Sequence, residues 1–350
     1  MTTETQVRVK LRSPADIVDA VPYLVGFEPH ESLVVLSLRG PRSQLGLTAR
    51  IDLPGAKSAT ACARNFVDYL KRDGASQAII VVYPPSDGLL HPSVKPLANA
   101  LTKHLTRARI KVREVLCVCE GRWWSMQCTD AGCCSPAGTL IARDATSELA
   151  VAMTVEGRVV LESREELAQM LDPVGGLAAA AMAYAMPRVD EEFAARVFAG
   201  HKRELVAESL VLFRSAVEAR LDPEARLEPE LSVEDAARLI VSLGLWGVRD
   251  ELMTWFEGEW GEATRALLLE LSRRSVLPGD ASALTVLAWV CYLRGEGVLA
   301  GIAIDRARTA DPTYSLAELL DQVLRSAVNP SIFHETIASA EFRQGLAAQQ

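Results

Sequence analysis

Apolar and polar positions first fall into a clear pattern at Leu33–Leu38, an apolar run that follows the polar loop Pro29-His30-Glu31-Ser32. A run of this length, rich in Val and Leu and opened by turn residues, predicts a buried strand. Upstream, Ser13-Pro14 supplies a hydroxyl cap and a proline where a missing N–H costs nothing. Ile17, Val18, Val21, Leu24 and Val25 then mark the buried stripe of a helix that ends at Gly26, with Pro22 expected to kink or shorten it. Downstream, Arg39–Ser43 is a hairpin turn and Leu45–Leu53 returns as an antiparallel strand. The alternation continues with a helix over 58–72, a strand over 78–83, a helix over 94–106 and a strand over 112–119. Glu120-Gly121 then turns the chain into a return strand over 122–128. Val7–Leu11 alternates apolar and basic residues as an edge strand would.

Helices between the strands at 45–53, 78–83 and 112–119 imply crossover connections. The expectation is an α/β layered domain with a mixed, mainly parallel sheet. Further on come a helix near 145–155, a short strand at 159–161 and a capping box, Ser163-x-x-Glu166, opening a helix to Leu171. Asp172–Gly176 reads as a boundary, and from Asp190 the pattern is helical throughout. The domains are therefore placed at 1–172 (α/β) and 188–345 (all-α). Within the second, Leu287-Ala288, Tyr292, Gly295, Ala300, Ala307 and Asp311-Pro312 look like one tetratricopeptide unit, with small residues where two helices approach and Tyr292 filling the gap. A single copy makes no solenoid, so flanking helices must cap it.

A length of 350 residues suits two domains, and 49% hydrophobic content is ample for their cores. No apolar run is long enough to cross a membrane, and the amino terminus has no apolar signal core, so a cytoplasmic protein with reduced thiols is expected. The net charge of −8 is uneven. Residues 1–150 hold 18 Lys and Arg against 14 Asp and Glu; the rest hold 19 against 31. The acidic half argues against a nucleic-acid sleeve, while the mildly basic half leaves room for an anionic small ligand or an acidic partner.

If Leu33–Leu38 runs antiparallel to its hairpin neighbour, its beginning lies beside the carboxyl ends of the parallel strands. The loops 26–32, 54–57, 84–92 and 119–122 would then share one rim, where open α/β sheets bind ligands. His30, Glu31, Ser32, Asp87 and His91 are the polar groups available there. They fit either a ligand crevice or an ordinary closed rim. No phosphate-binding glycine loop, nucleophile elbow or H-E-x-x-H motif is present, and no cofactor is implied. Cys128, Cys133 and Cys134 fit a structural loop better than a redox pair, and zinc spacing is poor. Trp123 and Trp124 face opposite sides of one strand, so one ring could anchor a partner unless the loop 128–138 covers it. Arg107, Arg109, Lys111 and Arg113 form a basic row, and Trp246, Trp255, Phe256 and Trp260 an aromatic group, each with a plain structural reading.

At GFEPHESLVVL and CxxxxCCSPAG the chain resembles an uncharacterised actinobacterial family, domain of unknown function 4192, over nearly its whole length. Ser135 stands where that family is expected to carry proline. The resemblance implies a cytoplasmic bacterial protein of unassigned activity and supplies no residue roles. Three function classes follow. With no recognisable catalytic set, a non-enzymatic interaction or adaptor protein acting through the helical domain leads. A small-molecule-binding regulator with its ligand at the 26–32/84–92 rim is the alternative, as is a hydrolase or transferase there with His30 or His91 as base.

Overall fold

The computed structural model describes residues 11–130, 134–143, 148–155, 159–221, 231–277, 279–339, 342 and 345. The chain divides into two compact units, 1–167 and 168–350. The edge strand expected at Val7–Leu11 falls almost wholly on residues outside the description.

In the first unit, α1 (Pro14–Val25) is closed at its start by a capping box between Ser13 and Asp16 and at its end by Gly26 in the left-handed region, whose N–H bonds Pro22 O. Pro22 does not shorten the helix, which runs on through Val25. Then follow β1 (Ser32–Arg39), β2 (Gln44–Asp52), α2 (Ala59–Arg72), β3 (Ala75–Tyr83), α3 (Val94–Arg107), β4 (Lys111–Cys119), β5 (Arg122–Ser125) and β6 (Thr139–Leu140), with α4 (Glu148–Val155) and α5 (Arg164–Gln169) closing the unit. The six described strands form one sheet in the order β2-β1-β3-β4-β5-β6. β2, β3 and β4 share a direction, as the intervening helices require. β1, however, lies between β2 and β3 and is antiparallel to both, so among the described strands the parallel ladder is confined to β3 and β4. β1 is buried over nearly its whole length because it is central. On one face Leu33, Val35, Ile80, Val82 and Cys117 pack under α2 and α3 through Phe66, Leu70, Leu97 and Leu101. α1 lies on the opposite face, touching β2, β4 and α4.

The β1–β2 ladder contains a bulge. Leu36 faces Thr48 but Leu38 faces Leu45, so Gly46 and Leu47 together oppose Ser37. The extra N–H, from Leu47, is not left bare: it donates to Ser37 Oγ (2.8 Å) and Asp73 Oδ2 (3.1 Å). Asp73 ends α2, has a side chain only 3% exposed, and also accepts from the Ser37 hydroxyl and both arms of the Arg39 guanidinium. A Cβ at Gly46 would collide with all three of these side chains, which is why the bulge carries glycine.

The second unit is helical: α6 (Gly176–Phe198), α7 (Lys202–Leu221), α8 (Val233–Ser242), α9 (Trp246–Leu252), α10 (Gly258–Arg274), α11 (Asp280–Leu293), α12 (Gly297–Ala310), α13 (Ser315–Arg325) and α14 (Ser331–Ala338). The stretch 173–187, left between the two expected domains, is mostly the first half of α6, which runs on past Pro187 to Phe198. α11 and α12 form the tetratricopeptide-like hairpin. Ala288, Ala300 and Ala307 are fully buried, Gly295 turns the chain at φ +81°, and the Tyr292 hydroxyl donates to Val328 O (2.5 Å). α13 packs against the pair, as a flanking cap should.

Candidate functional site

The register of β1 decides where the polar loop goes. Ser32 faces Asp52 on one side and Tyr83 on the other, so the loop that precedes it opens beside the carboxyl ends of β2 and β3. A cleft of about 390 Å³ lies at this rim, lined by Phe27, Glu28, His30, Glu31, Arg50, Asp52, Leu53 and the opening of α5 at Ser163, Arg164 and Glu165. Its two sides are tied by backbone. Phe27 bridges to Leu161, Glu28 N–H donates to Leu161 O (2.9 Å), and Leu161 N–H donates to Gly26 O (3.0 Å). Ser163 caps α5 by accepting from Glu166 N–H (3.0 Å), so the expected cap exists and points that helix start at the cleft.

Arg50 is the centre of the site. Its side chain is only 9% exposed and its guanidinium sits 5.6 Å above the Phe27 ring. Nε and Nη2 donate to Ser32 Oγ (3.0 and 2.8 Å), and Nη1 donates to Asp52 Oδ1 (2.6 Å). Asp52, 89% exposed, leaves the pair open to the solvent side. A guanidinium has five N–H donors. Among the described residues three are used, so two remain, one on each terminal nitrogen of a side chain that lines the cleft. Glu31 adds a second sign of constraint. It is a non-glycine residue at φ +41°, held there while its carbonyl accepts from Leu53 N–H (2.7 Å). Glu28 is engaged by both arms of Arg143.

The five rim residues expected from sequence therefore separate. His30 and Glu31 line the cleft. Ser32 is fully buried behind it as the anchor of Arg50, and its own hydroxyl donates to His30 O (2.5 Å). Asp87 and His91 do not reach it. Asp87 precedes the short 3-10 turn Gly88–Leu90, and His91 Nδ1 accepts from Ser93 N–H (3.3 Å). That turn packs instead toward Cys119, whose thiol donates to Pro85 O (3.1 Å). Arg50 and Asp52 were missed because they sit inside a strand, whereas the candidates from sequence all came from the loops of the rim. The available signal was two charges two residues apart, hence on one face, at the end of a strand paired with Ser32.

Deeper on the same face, the Tyr83 hydroxyl is buried with no hydrogen-bond partner among the described residues, and burial, helped by the Asp19 carboxylate, pushes the phenol well above its ordinary range. Asp19 itself is raised by burial, against the pull of Arg143.

Neither ring of the Trp pair stands open for a partner. Trp123 is buried, and half-buried Trp124 donates to Pro136 O (3.1 Å) beneath its own loop, with Gly138 so close that a Cβ there would strike the indole. The hairpin alternation explains this, since each face of the strand is already covered. Cys128 and Cys134 are half-buried in that loop, with Cys134 N–H donating to Asp130 O (2.8 Å); Cys133 lies outside the described residues. Among the described residues no group of three His, Cys, Asp or Glu side chains is placed to hold a metal. Arg107, Arg109, Lys111 and Arg113 are exposed around the amino end of β4, at the rim opposite the cleft. Trp255 and Phe256 are core residues, whereas Trp246 is exposed with Lys202 over its ring.

Residues 14–331 match the family model described as Domain of unknown function (DUF4192). The chain belongs to this family. No curated protein and no solved structure matches it. The match spans the whole of the cleft and the α11–α12 hairpin, so both are parts of the DUF4192 region of the chain.

Proposed function

We propose that the α/β unit is a small-molecule-binding module and that the protein acts as a ligand-dependent regulator, with its ligand in the cleft at Arg50. The observation that carries this reading is a guanidinium only 9% exposed that, among the described residues, keeps two unused donors at a concave wall. Burying a cation is costly unless its donors are satisfied. A bound acceptor would complete the set. Binding is favoured over catalysis because the hydroxyls here are committed: Ser32 Oγ serves Arg50, Ser163 Oγ caps α5, and among the described residues neither is bonded to the His30 ring.

The test is a thermal-shift screen of the full chain against nucleotides and central metabolites. A hit should raise the melting temperature of the protein and should be lost in Arg50→Ala, with Ser32→Ala weakening it. A screen with no hit dependent on Arg50 would sink the reading.

The adaptor reading keeps one observation in its favour, a Phe198 side chain 96% exposed at the end of α6, with Leu177 and Tyr184 also exposed along that helix. A pull-down that captures a partner with the parent chain and loses it in Phe198→Ser would revive it. A cytoplasmic setting suits either reading. Among the described residues no helix is long and apolar enough to cross a membrane, and Cys62, Cys117, Cys119 and Cys291 are buried as thiols.

A further inference from the structure

The charges of the cleft identify the kind of molecule that fits it. Two cations, Arg50 and Arg164, face it with the imidazole of His30. Of the four carboxylates in the lining, Glu28 is already neutralised by Arg143, which leaves Glu31, Asp52 and Glu165. Asp52 gives Oδ1 to Arg50, so its second oxygen is available, and Glu31 and Glu165 are exposed with no ion pair among the described residues. The site therefore presents both unused donors on a buried cation and unused acceptors on three carboxylates.

Each simpler ligand class leaves one of these sets unanswered. A phosphate dianion would add two negative charges to a lining in which carboxylates already outnumber guanidinium groups. Its acceptors would meet two N–H donors on Arg50 and the guanidinium of Arg164, but those two cations do not offset the carboxylates, and α5, six residues long with Ser163 Oγ on its first turn, is too short to add an anion site. A simple cation would satisfy the carboxylates but leave the Arg50 donors without acceptors in a desolvated place. An apolar molecule would meet only Phe27 and Leu53. A volume of about 390 Å³ also lies at the small end of the range for drug-sized ligands.

We infer that the cleft binds a small zwitterion of the α-amino-acid type, its carboxylate on the free Arg50 donors and its ammonium among Glu31, Asp52 and Glu165. This inference rests on the reading of the cleft as a binding site. It adds the ligand class, which can fail separately. The carboxylate meets a planar fork suited to it. The ammonium has three donors to distribute over three carboxylates. Neutral overall, the ligand enters without adding to the negative excess.

The experiment is isothermal titration of the full chain with each of the common amino acids at millimolar concentration, followed by the N-acetyl and the C-amide forms of any that bind. The expected result is binding by at least one free amino acid and a loss of roughly tenfold or more for each blocked form. Arg50→Lys should weaken the carboxylate side in the same way. Glu165→Gln, a near-isosteric change at an exposed side chain, should weaken the ammonium side while leaving folding intact. An N-acetyl form binding as tightly as its parent would overturn the zwitterion and leave the cleft. So would a metabolite anion without an amine whose binding depends on Arg50 while no amino acid binds. If neither amino acids nor any other small molecule binds in an Arg50-dependent way, the cleft reading itself fails.

Discussion

Asp73 lies at the opposite end of the sheet from the cleft, yet its removal should disturb the cleft. In Asp73→Ala the Ser37 hydroxyl loses its carboxylate acceptor, Arg39 loses its fork and Leu47 N–H keeps only Ser37 Oγ. A buried hydroxyl left without its acceptor costs about 1–3 kcal/mol. The ion pair adds about 1 kcal/mol, discounted because Arg39 is a third exposed and water replaces part of the contact. The expected loss is about 3 kcal/mol for the first unit. Because the chain has two units, a whole-molecule melt would blur this. The buried thiols of Cys62 and Cys117 report the first unit alone, through pulsed alkylation in urea read by mass spectrometry. With a slope of about 2 kcal/mol per M, their midpoint should fall by about 1.5 M. Hydrogen exchange should rise in residues 44–52 before it rises in β3. The consequence for the cleft follows from the bulge: without it, Arg50 would face Leu33 instead of Val34 and point to the other side of the sheet. A midpoint shift below about 0.3 M, with exchange in 44–52 unchanged, would refute the claim that Asp73 holds the bulge.

Gly46→Ala should act in the same direction, because the added methyl displaces Ser37, Arg39 and Asp73 together; the same thiol assay measures it. Gly138→Ala, at φ +77° and against the Trp124 indole, should push that ring toward solvent, seen as a red shift in the fluorescence of a variant whose other tryptophans are replaced by phenylalanine. Burial pushes the Cys62 thiol up to about 11 and Cys117 up to about 12, from an ordinary 9.0. The native state therefore keeps protons that the unfolded chain releases. Stability from this source is constant below about pH 9 and falls as pH rises from there through 11 and 12; urea midpoints at pH 8 and pH 10.5 should differ, and less so in a Cys62→Ala, Cys117→Ala variant. Tyr292→Phe should cost about 1 kcal/mol by removing the bond to Val328 O, measured on the helical unit by the fluorescence of Trp289, whose ring packs against Tyr292.

Much of the architecture is legible in residue order. Ser13-Pro14, Gly26, the Val-rich strands and the small residues at 288, 300 and 307 each state a local preference that nothing in the fold opposes, and the elements appear where those preferences put them. The rim was legible too, because strand direction follows from hairpins and crossovers. Local pattern alone determined which segments are helix or strand, and that the loop before Ser32 opens at the carboxyl ends of β2 and β3.

Tertiary structure alone decided which strands touch and in what register. β1 slides between β2 and β3, and a one-residue bulge, held by a carboxylate from the far end of α2, turns Arg50 toward Ser32 and Phe27. Periodicity cannot report this. A strand has the same alternation in either register, and the bulge that makes the choice is held by Asp73, 26 to 36 positions from the residues it bonds. Asp87 and His91, which belong to the turn that packs toward Cys119, stay out of the cleft, while Arg50, inside the edge strand β2, becomes its centre.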